Sequence, residues 1–217
     1  MTRPLDAVGF DLDGTLVDTM IVAPSVYASV IRALGGPDLT VDDITGIWHV
    51  GPTPTVLGHF LGRPITPADL ELFHEMFEDS TRSIEPFDGI ATLLRALRDD
   101  GYRLGVYTTA TRRAAATMLA AAGLADLVSA VIGGDEVAEP KPAADGLRRL
   151  ADELGTTPER IAYIGDTNID IQCAHAAGSV GIHAAWGAAD AISDAGGITA
   201  QKRRGCGCRR RGRRVPG

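Results

Sequence analysis

The sequence predicts an α/β fold, a doubly wound, Rossmann-like parallel sheet with a helical cap inserted after its first strand. Three observations carry that expectation. Short β-rich runs alternate with helical patterns. The interval between the first two of these runs is too long for one crossover. Acidic and hydroxyl residues recur where the runs end, which is where open α/β sheets bind ligands.

Ala7–Phe10 is apolar and stops at Asp11, the pattern of a strand buried on both faces. Residues 17–85 then hold helical stretches around Pro24–Leu34, Pro54–Leu61 and Pro67–Ser83, with no strong strand. They form the expected cap, joined to the core near Val17–Asp18 and near Glu85–Pro86–Phe87. A helix is expected over Ile90–Arg98, where Leu93, Leu94 and Leu97 recur at helical spacing. Strand Arg103–Tyr107, helix Arg112–Ala122, strand Val128–Ile132 and helix Ala144–Glu153 follow. Strand Ile161–Ile164, helix Ile169–Ala177 and strand Val180–Ala184 complete the alternation. Gly123, Gly155 and Gly178 sit just past the last three helices, as helix stops do. The expected division is therefore an α/β core of residues 1–16 and 86–200, a cap of 17–85 and a basic, disordered tail of 201–217.

With 45% hydrophobic and 23% charged residues, the 217-residue chain has globular composition, which excludes a largely disordered or fibrous protein. It contains no apolar run of about 18 residues that could span a membrane. Aspartates follow too closely on the N-terminus for a secretory signal, and three cysteines make no disulfide framework. A reducing, cytoplasmic setting is expected. Eight of the 21 basic residues lie after Gln201, which leaves thirteen against 28 acids and a formal charge of −15 on residues 1–201. So acidic a body argues against nucleic-acid binding, apart from nonspecific contact by the tail, and for a cation-assisted site. In the tail, Cys206-Gly-Cys208 has no further Cys or His nearby to complete a metal site. The body carries twelve arginines and one lysine, Lys141. That lysine is either a leftover surface residue or one kept for a task arginine performs badly.

Phe10-Asp11-Leu12-Asp13-Gly14-Thr15 is the most informative segment. Two carboxylates at i and i+2 after a strand can aim into one crevice, and their mutual repulsion calls for a cation between them. Gly14 permits a tight turn, and Thr15 can bond it. Thr108-Thr109 ends the second strand, where a hydroxyl and the free N–H groups of a helix start make an anion site. Lys141-Pro142 follows the third strand, and Asp166 and Asp170 follow the fourth, one helical turn apart. Together they read as an oxygen-rich Mg²⁺ site beside a cationic phosphate clamp. Each residue taken alone is equally at home as a helix cap or an ordinary loop residue.

Asp11-Leu12-Asp13-Gly14-Thr15, Thr108, Lys141 and Gly165-Asp166-Thr167-Asn168-Ile169-Asp170 resemble the four motifs of the haloacid dehalogenase superfamily. The likeness spans roughly residues 5–188 and is strongest to the phosphoglycolate phosphatase-like hydrolases. Leu16-Val17-Asp18-Thr19, Gly133-Gly134-Asp135 and Trp186-Gly187 also read like that subgroup. The resemblance implies a phosphatase acting on a small phosphomonoester, phosphoglycolate being one candidate, through an aspartyl-phosphate. It implies Asp11 as nucleophile and Asp13 as general acid and then base. Thr108, Thr109 and Lys141 would hold the phosphate. Asp11, Asp13 (through its carbonyl), Asp166 and Asp170 would hold Mg²⁺. The expected partner is a small phosphorylated substrate, and the oligomeric state is left open between monomer and homodimer.

The resemblance also has departures. Thr109-Ala110 stands where the subgroup often has Asn-Lys, and Ala143 where a second proline is common. After Trp186-Gly187 a further strand is expected near Asp190-Ala191-Ile192, before the chain turns into Gly-Arg-Cys sequence that reads as a truncated or shifted end. In the cap, Trp48-His49-Val50-Gly51 resembles a loop facing the site, and His49, Arg63 and Arg82 are candidates for a second anionic group of the substrate. A sugar phosphomutase of the superfamily keeps the same Asp at position 13 and, with a pyrophosphatase, stays as an alternative, although mutases resemble proteins with a cap lysine and this cap has none. A catalytically silent phosphate-binding protein would typically lose the nucleophile or the lysine. A phosphoacceptor receiver domain would have neither the insert nor the pair of late aspartates. No P-loop or dinucleotide glycine pattern occurs.

Overall fold

A computed structural model describes residues 4–20, 22–47, 51–187 and 198–200. Its strands are β1 (Ala7–Phe10), β2 (Arg103–Tyr107), β3 (Ala130–Ile132), β4 (Ile161–Gly165), β5 (Val180–Ala184) and β6 (Ile198–Ala200). They form one sheet in the order β3-β2-β1-β4-β5-β6, with every neighbouring pair parallel. The order reverses beside β1, so β1 and its neighbours open a crevice at their carboxyl ends. The expected strand bounds hold for β1, β2 and β5. β3 is shorter than expected because a 3₁₀ turn over Ala125–Leu127 delays its start. The expected Asp190–Ile192 strand and the basic tail lie outside the described residues.

Helices α1 (Ala23–Ala33), α2 (Val41–Thr45), α3 (Thr53–Leu61) and α4 (Pro67–Ser80) all fall between β1 and β2. Helix α4 starts where Thr66 and Asp69 form a reciprocal capping box, with Pro67 supplying a preset φ. Helix α2 was not expected. It is five residues long and rests on a similar box, Thr40 with Asp43. The segment leaves and returns at adjacent points. Val17 bridges Pro86, Asp18 N donates to Glu85 O (3.3 Å), and Phe87 N donates to Leu16 O (3.0 Å).

Helices α5 (Ile90–Asp99) and α6 (Arg112–Ala121) cover one face of the sheet, and α7 (Asp145–Glu153) and α8 (Asn168–Ala177) cover the other. Two apolar clusters result. One runs from Phe10 and Val106 through Met118 into the α1–α4 segment at Tyr27 and Phe73. The second packs Leu147, Leu150 and Ala174 against Tyr107, Ile161 and Tyr163. Strands buried on both faces hold their ends rigidly, which suits them to carry a site.

Candidate active site at the carboxyl ends of the strands

Asp11 leaves β1 directly, and its backbone N–H stays in the sheet, donating to Ile164 O at 2.8 Å. The chain then turns at Gly14, whose φ of +76° is left-handed. A side chain there would also collide with Asp166, 2.4 Å from its Oδ2. Only glycine lets the first turn approach the carboxylate that ends β4. Gly187 closes the same contact from outside, since a Cβ on it would lie 2.3 Å from Gly14 O. Trp186 Nε1 fixes that closure by donating to Thr15 O at 2.9 Å.

Lys141 reaches this point from the loop after β3. Its Nζ donates to Asp11 Oδ1 at 2.6 Å and to Asp170 Oδ1 at 2.7 Å, and its side chain is 2% exposed. The rings of Tyr107 and Tyr163 flank the ammonium at 5.0 and 5.2 Å, so its walls favour positive charge. Tyr163 OH is anchored by donating to Tyr107 O at 2.6 Å.

Asp170 is positioned by its own helix. As the third residue of α8 it accepts the Thr167 N–H on Oδ2 (3.1 Å), which turns Oδ1 towards Lys141. Asp166 accepts from Thr15 Oγ1 at 3.1 Å. One carboxylate oxygen from each of Asp11, Asp166 and Asp170 lies within 4.8 Å of the others, and all three residues are buried. Hard oxygen donors at this separation could hold a divalent cation. Both oxygens of Asp170 are already committed to hydrogen bonds, so Asp11 and Asp166 are better placed for direct ligation.

The charges of this cluster are strained by burial. Burial and the surrounding carboxylates push Asp11 well above the usual carboxylate range, against the pull of Lys141. Burial, reinforced by Asp170, raises Asp166 to about 7. Burial works against the Lys141 ammonium, but Asp11 and Asp170 outweigh it and hold the group charged well above its ordinary range. Three carboxylates around one ammonium leave excess negative charge in a poorly solvated place, and a dication would relieve it.

Asp13 points elsewhere. Thr19 Oγ1 donates to its Oδ1, a contact allowed by the bridge between Asp13 and Val17. Burial raises the Asp13 carboxyl, with the Thr19 bond opposing. Thr19 was not singled out from the sequence as a partner of Asp13, and only the turn geometry makes it one. Asp13 also lines a cavity of about 30 Å³ between the start of α6 and the faces of α1, α3 and α4. Thr108 is buried at the end of β2, its Oγ1 accepting from Ala110 N at 3.2 Å, and Thr109 lines the same cavity.

The candidates between β1 and β2 fare differently. Arg63 donates to both oxygens of Asp69 (2.6 and 3.0 Å), bracing the start of α4, and does not line the cavity. His49 and the side chain of Arg82 lie outside the described residues. Polar contacts unforeseen from the sequence hold α4 on α6. His74 Nε2 lies 2.8 Å from Thr111 Oγ1, and Arg113 bonds Glu71 and Glu78, each at 2.7 Å.

A family model described as haloacid dehalogenase-like hydrolase matches residues 8–184. A phosphoglycolate phosphatase of Cereibacter sphaeroides is 34% identical over 185 residues, covering 80% of this chain and 82% of that protein. A plasmid-borne phosphoglycolate phosphatase of Cupriavidus necator is 31% identical over 187 residues, covering 82% and 80% respectively. In fold, the chain is similar to CbbY from Rhodobacter sphaeroides in complex with phosphate, with a TM-score of 0.80, 23% identity and coverage of 90% and 92%.

Proposed function

We propose, because the chain belongs to the haloacid dehalogenase-like hydrolases, that it is a Mg²⁺-dependent phosphatase of a small phosphomonoester working through an aspartyl-phosphate. Relatives named phosphoglycolate phosphatase over four-fifths of their length support a phosphoric monoester hydrolase and make phosphoglycolate the reference substrate. The observation that carries the reading is the buried meeting of Asp11, Asp166, Asp170 and Lys141.

In this reading Asp11 attacks phosphorus, forming a P–O bond as the bond to the leaving alcohol breaks. Asp13, whose carboxyl is raised by burial, donates a proton to the departing alkoxide. It then takes a proton from the water that hydrolyses the aspartyl-phosphate. Thr108 Oγ1 and the N–H of Thr109 hold phosphoryl oxygens, and Lys141 offsets the charge of Asp11 and of the incoming phosphate. Asp11, Asp166, the Asp13 carbonyl and, through water, Asp170 would hold Mg²⁺, which when bound neutralises charge between carboxylates and phosphate. The segment α1–α4 serves as a cap that excludes water.

The test is hydrolysis of p-nitrophenyl phosphate with and without Mg²⁺. The wild type should turn over only with Mg²⁺, and Asp11→Asn should lose about 10⁴-fold or more in rate while keeping its fold. A soluble, Mg²⁺-replete wild type without turnover would overturn the proposal.

A further inference from the structure

Two kinds of partner hold the Lys141 ammonium. Its Nζ donates to the carboxylates of Asp11 and Asp170, and it also lies over the rings of Tyr107 and Tyr163. The ring centroids are 6.3 Å apart and the ring planes are inclined at 39°. With the nitrogen 5.0 Å from one centroid and 5.2 Å from the other, the ammonium sits in a wedge between two π faces.

Both rings are fixed in place. Tyr107 ends β2 and Tyr163 lies in β4, on either side of β1, and both are fully buried. Tyr163 OH donates to Tyr107 O at 2.6 Å, which ties the second ring to the backbone of the first. Helix α7 presses Gly146 so closely on Tyr107 that a Cβ there would lie 2.1 Å from Cζ of the ring. On Gly9 of β1, a Cβ would lie 3.0 Å from Cδ2 of Tyr163. Helix and strand thus clamp the wedge from both sides.

The reaction treats the two kinds of partner differently. When Asp11 takes the phosphoryl group, one of its oxygens becomes bonded to phosphorus, and its hold on the ammonium weakens. The π faces keep the same negative potential before and after that step. They can therefore restrain a flexible lysine stem while phosphoryl charge has to be offset. We infer that Tyr107 and Tyr163 are positioning residues of the phosphatase reaction, holding the Lys141 ammonium beside Asp11 by cation–π attraction. This deepens the phosphatase reading and rests on it.

Fluorine on a phenyl ring drains the negative potential of its face and changes its shape little. Tyr107→Phe keeps the ring and sets the reference rate. Mono-, di- and trifluorinated phenylalanine at position 107 then weaken the face in steps. With Mg²⁺ and p-nitrophenyl phosphate, log kcat/KM should fall in proportion to the number of fluorines, by about tenfold across the series. Tyr107→Leu, which removes the ring, should lose about tenfold or more against Tyr107→Phe. A ring that only fills the core would give a flat fluorine series, because its shape is kept. Thermal unfolding checks that each variant folds, and the same series at position 163 decides if position 107 does not accept it. A flat series in folded, active protein overturns the inference and leaves the phosphatase reading intact. No turnover by the Mg²⁺-replete wild type overturns both.

Discussion

The two ends of β1 each carry an aspartate paired with a cation, and they behave in opposite ways. Asp6, just before the strand, accepts from Arg160 Nη2 at 2.6 Å and from Thr156 at 3.1 Å, with Arg103 3.6 Å away. Its side chain is 28% exposed, and the Arg160 bond draws its carboxyl down to about 2. Asp11, just after the strand, has a comparably short contact to Lys141, yet burial pushes its carboxyl up. Pairing is common to both, so pairing alone does not mark a site. What distinguishes the upper cluster is that its charges are held where water cannot stabilise them. Such a cluster could hold a cation.

Breaking the upper pair should have the larger consequence. Lys141→Met leaves Asp11 and Asp170 buried without a counter-charge and should cost about 3–5 kcal/mol in urea unfolding without metal, together with turnover. Removing a ligand sharpens the contrast next. Mg²⁺ at a hundredfold excess over its Kd should stabilise the wild type by about 2.7 kcal/mol, read as a rise in Tm. Asp166→Asn should lose most of that rise, whereas Arg160→Met should keep it. The lower pair gives the smallest effect, because an exposed bridge is screened by solvent. Asp6 titrates near 2 in the folded chain and near 4 when unfolded. Its contribution is therefore complete above about pH 4 and drains away as the pH falls towards 2. Arg160→Met should flatten that acid limb of Tm against pH and change little at pH 7.

The same contrast explains which features could be read from the sequence. Asp11, Thr108 and Asp166 are conspicuous as polar residues that follow apolar strands, whose parallel run delivers their ends to one side, and Lys141 as the one lysine of residues 1–201. The bounds of β1, β2 and β5 followed from the same apolar runs. Tyr27, Phe73 and Phe77 gave no such signal. On helices they look like any core residue, and only the packing of α1 and α4 over α6 turns them into the wall of a cavity. Arg63, which pairs with Asp69, is ambiguous for the opposite reason. An arginine six residues before an aspartate can brace a helix start as readily as it can meet a ligand, and spacing does not tell the two apart. Thr19 meets Asp13 only because the chain folds back at Gly14 and Val17, a contact without periodicity.

Leu16–Asp18 and Glu85–Phe87 run side by side, hydrogen-bonded to each other. A detour anchored at adjacent points can grow, shrink or be exchanged without shifting the register of β1 against β2. Substitutions within the detour can thus change the surface above Asp13 while the strand ends that carry Asp11 and Asp166 keep their places.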